Sequence, residues 1–128
     1  MAEIKWTSGY SVGVPLMDEQ HKRLIDLINT TGGPGDERTT AEAIRQMELY
    51  AELHFKAEEE MLREKNYPEL PFQIEEHRRF FQKTDEFAAK DLADPAVRGH
   101  LHSFLCRWLS HHILEVDMKY KHFLLPVS

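Results

Sequence analysis

His54-Phe55-Lys56-Ala57-Glu58 decides how this chain is read, because an imidazole and a carboxylate four residues apart on a helix project from one face into the same space. That is metal-ligand spacing. The surrounding segment, residues 40–64, holds neither Gly nor Pro and sets Ile44, Met47, Ala51, His54, Phe55, Glu58 and Met61 on one stripe at helical period. Two polar side chains thus stand where a core helix places apolar ones. A single pair of this kind occurs by chance on many surface helices; this one gains weight because the pattern recurs along the chain.

Working outward, residues 1–17 read as an arm, since Trp6, Gly9, Tyr10, Gly13 and Pro15 mix large apolar groups with helix breakers. Asp18 suits an N-cap, and His21, Leu24, Ile25, Leu27 and Ile28 follow at helical spacing, so a first helix is expected over about 18–30. Thr31-Gly-Gly-Pro-Gly-Asp36 reads as an exposed, flexible loop. The second helix, about 40–65, is stopped by Asn66-Tyr67-Pro68-Glu69-Leu70-Pro71. A third, about 71–91, places Ile74, His77, Phe80, Phe81, Thr84 and Phe87 inward, and Asp94-Pro95 opens a fourth that runs to about 121. No window alternates with the period of a strand, and no repeat is present. The expected fold is a single all-α domain over 1–128, an up-down-up-down four-helix bundle with an N-terminal arm.

Composition narrows the function. The 128 residues carry a formal net charge of −6, so no basic patch is available for nucleic acid or an anionic membrane. One cysteine, Cys106, excludes an intrachain disulfide, and neither a leader segment nor a membrane-length apolar run is present, which makes the expected location cytoplasmic.

A bundle has one interior seam, and polar residues on the inner faces must meet there. The helices supply His21, then His54 and Glu58, then Gln73 and His77, then His112 and Asp117. Leaving two carboxylates and four imidazoles buried without compensation costs several kcal/mol per charged group, on the order of what unpaired buried ions lose, so the groups pair or cations lie among them. Imidazole and carboxylate without thiolate point to iron, manganese or zinc. Two carboxylates among four imidazoles suit a dinuclear site. His112 and Asp117 are five apart, about 140° around a regular helix, so they flank a metal pair or meet one ion where the helix is locally unwound.

With these residues in view the chain resembles the bacterial hemerythrins over nearly its whole length. The resemblance is carried by the Trp6 arm, Ser11-Val-Gly-Val14, Asp18-x-Gln20-His21-Lys-Arg-Leu24, His54-Phe-x-x-Glu58-Glu59, Asn66-Tyr-Pro68, His77, and Trp108-Leu-x-x-His112-Ile-x-x-x-Asp117. It implies reversible dioxygen binding by two iron ions with an oxo or hydroxo bridge. By position, His21 and His54 would ligate the iron that takes up oxygen, His77 and His112 the other, and Glu58 and Asp117 would bridge. The departure is Gln73, where the family's His-x-x-x-His pattern on the third helix has its first histidine. Either Gln73 ligates weakly through its amide oxygen, or water takes that position, or Glu69 or Glu76 swings in. A further reading makes Gln73 a helix-start residue that reaches back to an unpaired backbone donor.

His100, His102, His111 and His122 are left outside the site, as are Cys106, read as a small buried apolar residue, and Glu59 and Glu60, read as solvated. Leu24, Ile25 and Ile113 are candidates for an apolar pocket that admits dioxygen. The expected function is oxygen storage, delivery or sensing. The alternatives are a di-iron enzyme acting on peroxide or nitric oxide and an iron-handling protein, with small anions as further candidate ligands; a bundle without metal fits four buried histidines poorly.

Overall fold

The computed structural model describes residues 4–32 and 35–125. The expectations for residues 1–3 of the arm, for Gly33 and Pro34 of the loop and for 126–128 lie outside these residues. A short 3-10 turn, Ser8–Tyr10, precedes α1 (Pro15–Thr30), α2 (Glu37–Glu64), α3 (Leu70–Ala88) and α4 (Pro95–His111); a π-helical segment, His112–Asp117, then leads into α5 (Met118–Leu124). Among the described residues there is no strand. α1 packs on α2 and α4, and α3 packs on α2 and α4, so the four long helices close a ring around one core. The all-α four-helix bundle read from the periodicity is the fold observed.

Boundaries differ where local chemistry beats the stripe. α1 starts at Pro15 rather than at Asp18, because proline's fixed φ suits the first helical position and needs no donor. Asp18 lies inside the first turn and instead ties down the arm, accepting from the Ser11 hydroxyl at 2.6 Å and from the Val12 N–H at 2.8 Å. The arm is fastened again by Asn29, which exchanges two hydrogen bonds with the backbone of Ile4. α2 begins at Glu37, three residues before the expected 40, because Asp36 caps it by accepting from the Thr39 N–H while the Thr39 hydroxyl oxygen accepts from the Asp36 N–H. Its other end turns back at Asn66, whose φ of 56° falls in the left-handed region that asparagine tolerates.

The core is apolar above and below the polar seam: Met17, Leu24, Ile28, Met47, Leu62, Phe80, Leu101, Leu105 and Leu109 are all buried. Ile74 is a correction to the expected stripe. It is 39% exposed, because Gln73 and His77, four apart, set the inner face of α3 and leave Ile74 about 100° from the first and about 60° from the second. Thr31, expected in an exposed loop, is buried, with its hydroxyl bonded to the Ile28 carbonyl.

Candidate metal centre

Each helix contributes to the seam through a residue placed by its own periodicity. His21 follows Met17 by four on the buried face of α1; His54 and Glu58 continue the Met47 and Ala51 stripe of α2; Gln73 and His77 lead to Phe80 and Thr84 on α3. The fourth contribution needs a break in the regular helix. Over His112–Asp117 the chain widens into π-helical geometry, in which five residues advance about 50° net instead of the 140° of an α-helix. His112 and Asp117 thereby face the same space, and Asp117 Oδ1 lies 3.2 Å from His112 Nε2. The spacing conflict visible in the sequence is resolved by local unwinding, the second of the two arrangements considered.

His21, His54, Glu58, His77, His112 and Asp117 are all buried, and they converge. Ligand atoms of His21, His54 and Glu58 lie within 4.8 Å of one another, as do those of Glu58, His77 and His112. The two carboxylates each turn one oxygen to each group. Glu58 Oε2 lies 3.6 Å from His21 and 3.5 Å from His54, while Oε1 lies 3.0 Å from His77 and 3.7 Å from His112. Asp117 places Oδ2 at 3.3 Å from His21 and Oδ1 at 3.2 Å from His112. Two ligand atoms at right angles on a common ion, each about 2.1 Å from it, are about 3 Å apart, so this set is spaced for two ions with two shared carboxylates.

Hydrogen bonding tests the fit independently. Among the described residues, His21 Nδ1 and Nε2, His54 Nε2, His112 Nδ1 and Nε2, Gln73 Oε1 and Asp117 Oδ2 are buried polar atoms with no hydrogen-bond partner. Native interiors rarely leave even a few such atoms together. Cations held by these nitrogens and oxygens would satisfy Nε2 of three imidazoles and the free Asp117 oxygen at once, and the hard and borderline donors match iron.

Charge in the seam leads to the same conclusion. Burial opposes a charge on His21, but Asp117 and Glu58 outweigh it and lift its pKa to about 9. Burial also opposes charge on His112, which Asp117 and Glu58 nevertheless push well above the ordinary histidine value. Burial favours a neutral Glu58, yet the surrounding imidazoles hold its carboxyl well below the usual range. His54 goes the other way: burial lowers it, leaving the ring neutral. The carboxylates therefore demand positive charge, which protons supply in part and divalent or trivalent ions would supply in full.

Gln73 is buried and turned into the seam, donating through Nε2 to Asp117 Oδ1 at 3.1 Å. It does not serve the helix start: α3 begins at Leu70, and the amide lies on a residue 44 positions away. Glu69 is exposed, and Glu76 sits behind His112, with Oε1 3.8 Å from Nδ1. Glu59, expected to be solvated, is a correction. Its Oε2 lies 2.7 Å from His77 Nδ1 because the following position on α2 turns toward α3. Two more contacts escaped the sequence reading. Gln20 accepts from His54 Nδ1 at 2.7 Å, and the buried Tyr120 hydroxyl donates to Glu58 Oε2 at 3.0 Å. Tyr120 follows Asp117 by three on one helical face, a signal that was available.

Leu24, Ile25 and Ile113 are all buried in the hydrophobic core. His100, His111 and His122 are exposed. His102 and Cys106 are buried on α4, with Nε2 and Sγ 3.5 Å apart and Thr31 Oγ1 3.0 Å from His102 Nδ1.

The profile of the hemerythrin HHE cation-binding domain matches residues 12–124. A hemerythrin-like protein of Naegleria gruberi is 34% identical over 116 residues, covering 91% of this chain and 89% of that protein. Bacteriohemerythrins of Stenotrophomonas maltophilia and Clostridium acetobutylicum are each 28% identical, over 94% and 90% of this chain and 80% and 96% of their own lengths. No helix among the described residues is long and apolar enough to cross a membrane.

Proposed function

The chain belongs to the hemerythrin family of di-iron oxygen-binding and oxygen-sensing proteins, and on that premise we propose that it binds dioxygen at an iron pair whose second position is modified by Gln73. His21 and His54 would hold the first ion, His77 and His112 the second, and Glu58 and Asp117 would be shared between the two. An iron pair held there would supply the redox chemistry that reversible oxygen binding needs. The chain supplies the rest: the buried apolar side chains of Leu24, Ile25 and Ile113, the outer nitrogens of His54 and His77 held by Gln20 and Glu59, and two carboxylates fixed by Tyr120 and Gln73.

The observation that carries this reading is the set of buried, unpartnered imidazole nitrogens facing two carboxylates that each span both groups. Its test is an absorption spectrum of iron-loaded protein under alternate air and argon. A di-iron band that appears in air and reverses under argon is expected, and an irreversible bleach or no band counts against reversible binding.

A specific contact favours a second reading, an enzyme acting on peroxide or nitric oxide. Gln73 donates its Nε2 to Asp117 and leaves its Oε1 without a partner, so the His77 and His112 position has one imidazole fewer than the family pattern and a weaker donor in its place. Steady turnover of added peroxide by the iron-loaded protein, abolished in Gln73→His, is the result this reading requires.

A further inference from the structure

The partners on the outer sides of the imidazoles differ in charge from one half of the site to the other. His54 Nδ1 meets the neutral amide oxygen of Gln20 at 2.7 Å. His77 Nδ1 meets the carboxylate of Glu59 at 2.7 Å, and His112 Nδ1 faces the carboxylate of Glu76 at 3.8 Å. The anionic backing falls on the half where Gln73 stands in place of an imidazole. Glu59 is also kept partly in water: its side chain is 22% exposed, at the edge of a groove of about 250 Å³ between α2 and α3 that is floored by Phe55 and His77. Phe55 stacks on the His77 ring at 3.9 Å and 5°, so the ring is clamped in plane while Glu59 holds its outer nitrogen.

A carboxylate accepting from one imidazole nitrogen raises the donor strength of the other, and this outer contact tunes the ion that the second nitrogen binds. We propose that Glu59 is a positioning residue which, through His77, offsets the loss of donor strength at Gln73, so that in the half-oxidised protein the His77 and His112 position holds the ferric ion. This rests on the di-iron reading above. It reverses what the ligand count alone suggests, namely that the position lacking an imidazole is the poorer host for the higher charge.

The test is an anaerobic potentiometric titration of iron-loaded wild type, Glu59→Gln, Glu60→Gln and Gln20→Glu, with iron affinity measured beside it by competition with a chelator. Glu60 is exposed and one residue along, so it controls for the charge change alone. Glu59→Gln should raise the lower of the two midpoint potentials, leave the upper nearly in place, and weaken iron at one of the two positions by on the order of 10–100-fold. Glu60→Gln should do neither. Gln20→Glu should lower the upper midpoint, and it carries the test alone if Glu59→Gln does not fold. A shift in Glu59→Gln no larger than in Glu60→Gln, equal movement of both midpoints, or an upper midpoint unmoved in Gln20→Glu overturns the inference and leaves the di-iron reading standing. Wild type that takes up no iron pair overturns both.

Discussion

Replacing Tyr120 by phenylalanine removes one hydroxyl and no carbon, so the buried ring keeps its place beside Tyr67 at 6.3 Å while Glu58 loses a donor. Oε1 of Glu58 keeps His77 at 3.0 Å, but the nearest groups to Oε2 apart from Tyr120 are His54 at 3.5 Å and His21 at 3.6 Å. The metal-free variant therefore buries a carboxylate oxygen without a hydrogen bond at good distance. A hydrogen bond to a charged group contributes about 1.5–3 kcal/mol, and for a domain of this length that is a fall in Tm on the order of 5–15 °C. In the iron-loaded protein the ions compensate Glu58, so the loss should shrink toward the roughly 1 kcal/mol of an ordinary hydrogen bond. By linkage the variant then binds iron more tightly by the same difference. The assay is calorimetry of wild type and Tyr120→Phe, each with and without iron. Equal Tm losses in both states would show that Tyr120 stabilises the fold without sensing the charge on Glu58, and no loss in either would refute the contact itself.

His54→Ala and Glu58→Ala should each lose bound iron, measured by metal analysis after desalting, while His111→Ala, an exposed neighbour of His112, should keep it. Deleting Leu114, which is 40% exposed in the π segment, should restore an α-helix in which His112 and Asp117 are four apart and still share a face. Helical content and iron binding should both survive that deletion, and loss of iron with intact helicity contradicts the geometry given for the segment. Burial, then the nearby Asp85, raises the Glu48 pKa to about 7 from an ordinary 4.5. The folded protein thus binds that proton more tightly than the unfolded chain, so its contribution to stability is full below about pH 4.5 and is lost as pH rises through about 7. Glu48→Gln should flatten this decline in urea midpoints measured between pH 4.5 and 8.

Much of this site was legible because helical period and ligand chemistry coincide at the same residues. His54 and Glu58 declare a shared face by spacing alone, and His21, His77 and His112 interrupt apolar stripes where a core residue would otherwise stand. The outer contacts were harder to see. Glu59 looked solvated because its azimuth on α2 leaves the seam, and only the position of α3 brings His77 to it. Gln20 sits just before His21 and reads as a polar helix residue until α1 and α2 are packed together. Asp18 has the side chain of a cap, but the proline three residues earlier starts the helix itself and leaves Asp18 inside the first turn. The π segment left only an indirect trace, the conflict of five-residue spacing with a 3.6-residue turn, since the backbone widens to serve a contact that lies across the bundle.

Diffraction at the iron absorption edge from crystals of iron-loaded protein would show whether two iron ions lie in one seam and share Glu58 and Asp117. Two anomalous peaks per chain are expected, one beside His21 and His54, the other beside His77 and His112, with a carboxylate oxygen of Glu58 and of Asp117 directed at each. A single peak, or iron bound through Glu59 or Glu76 outside the seam, would contradict it.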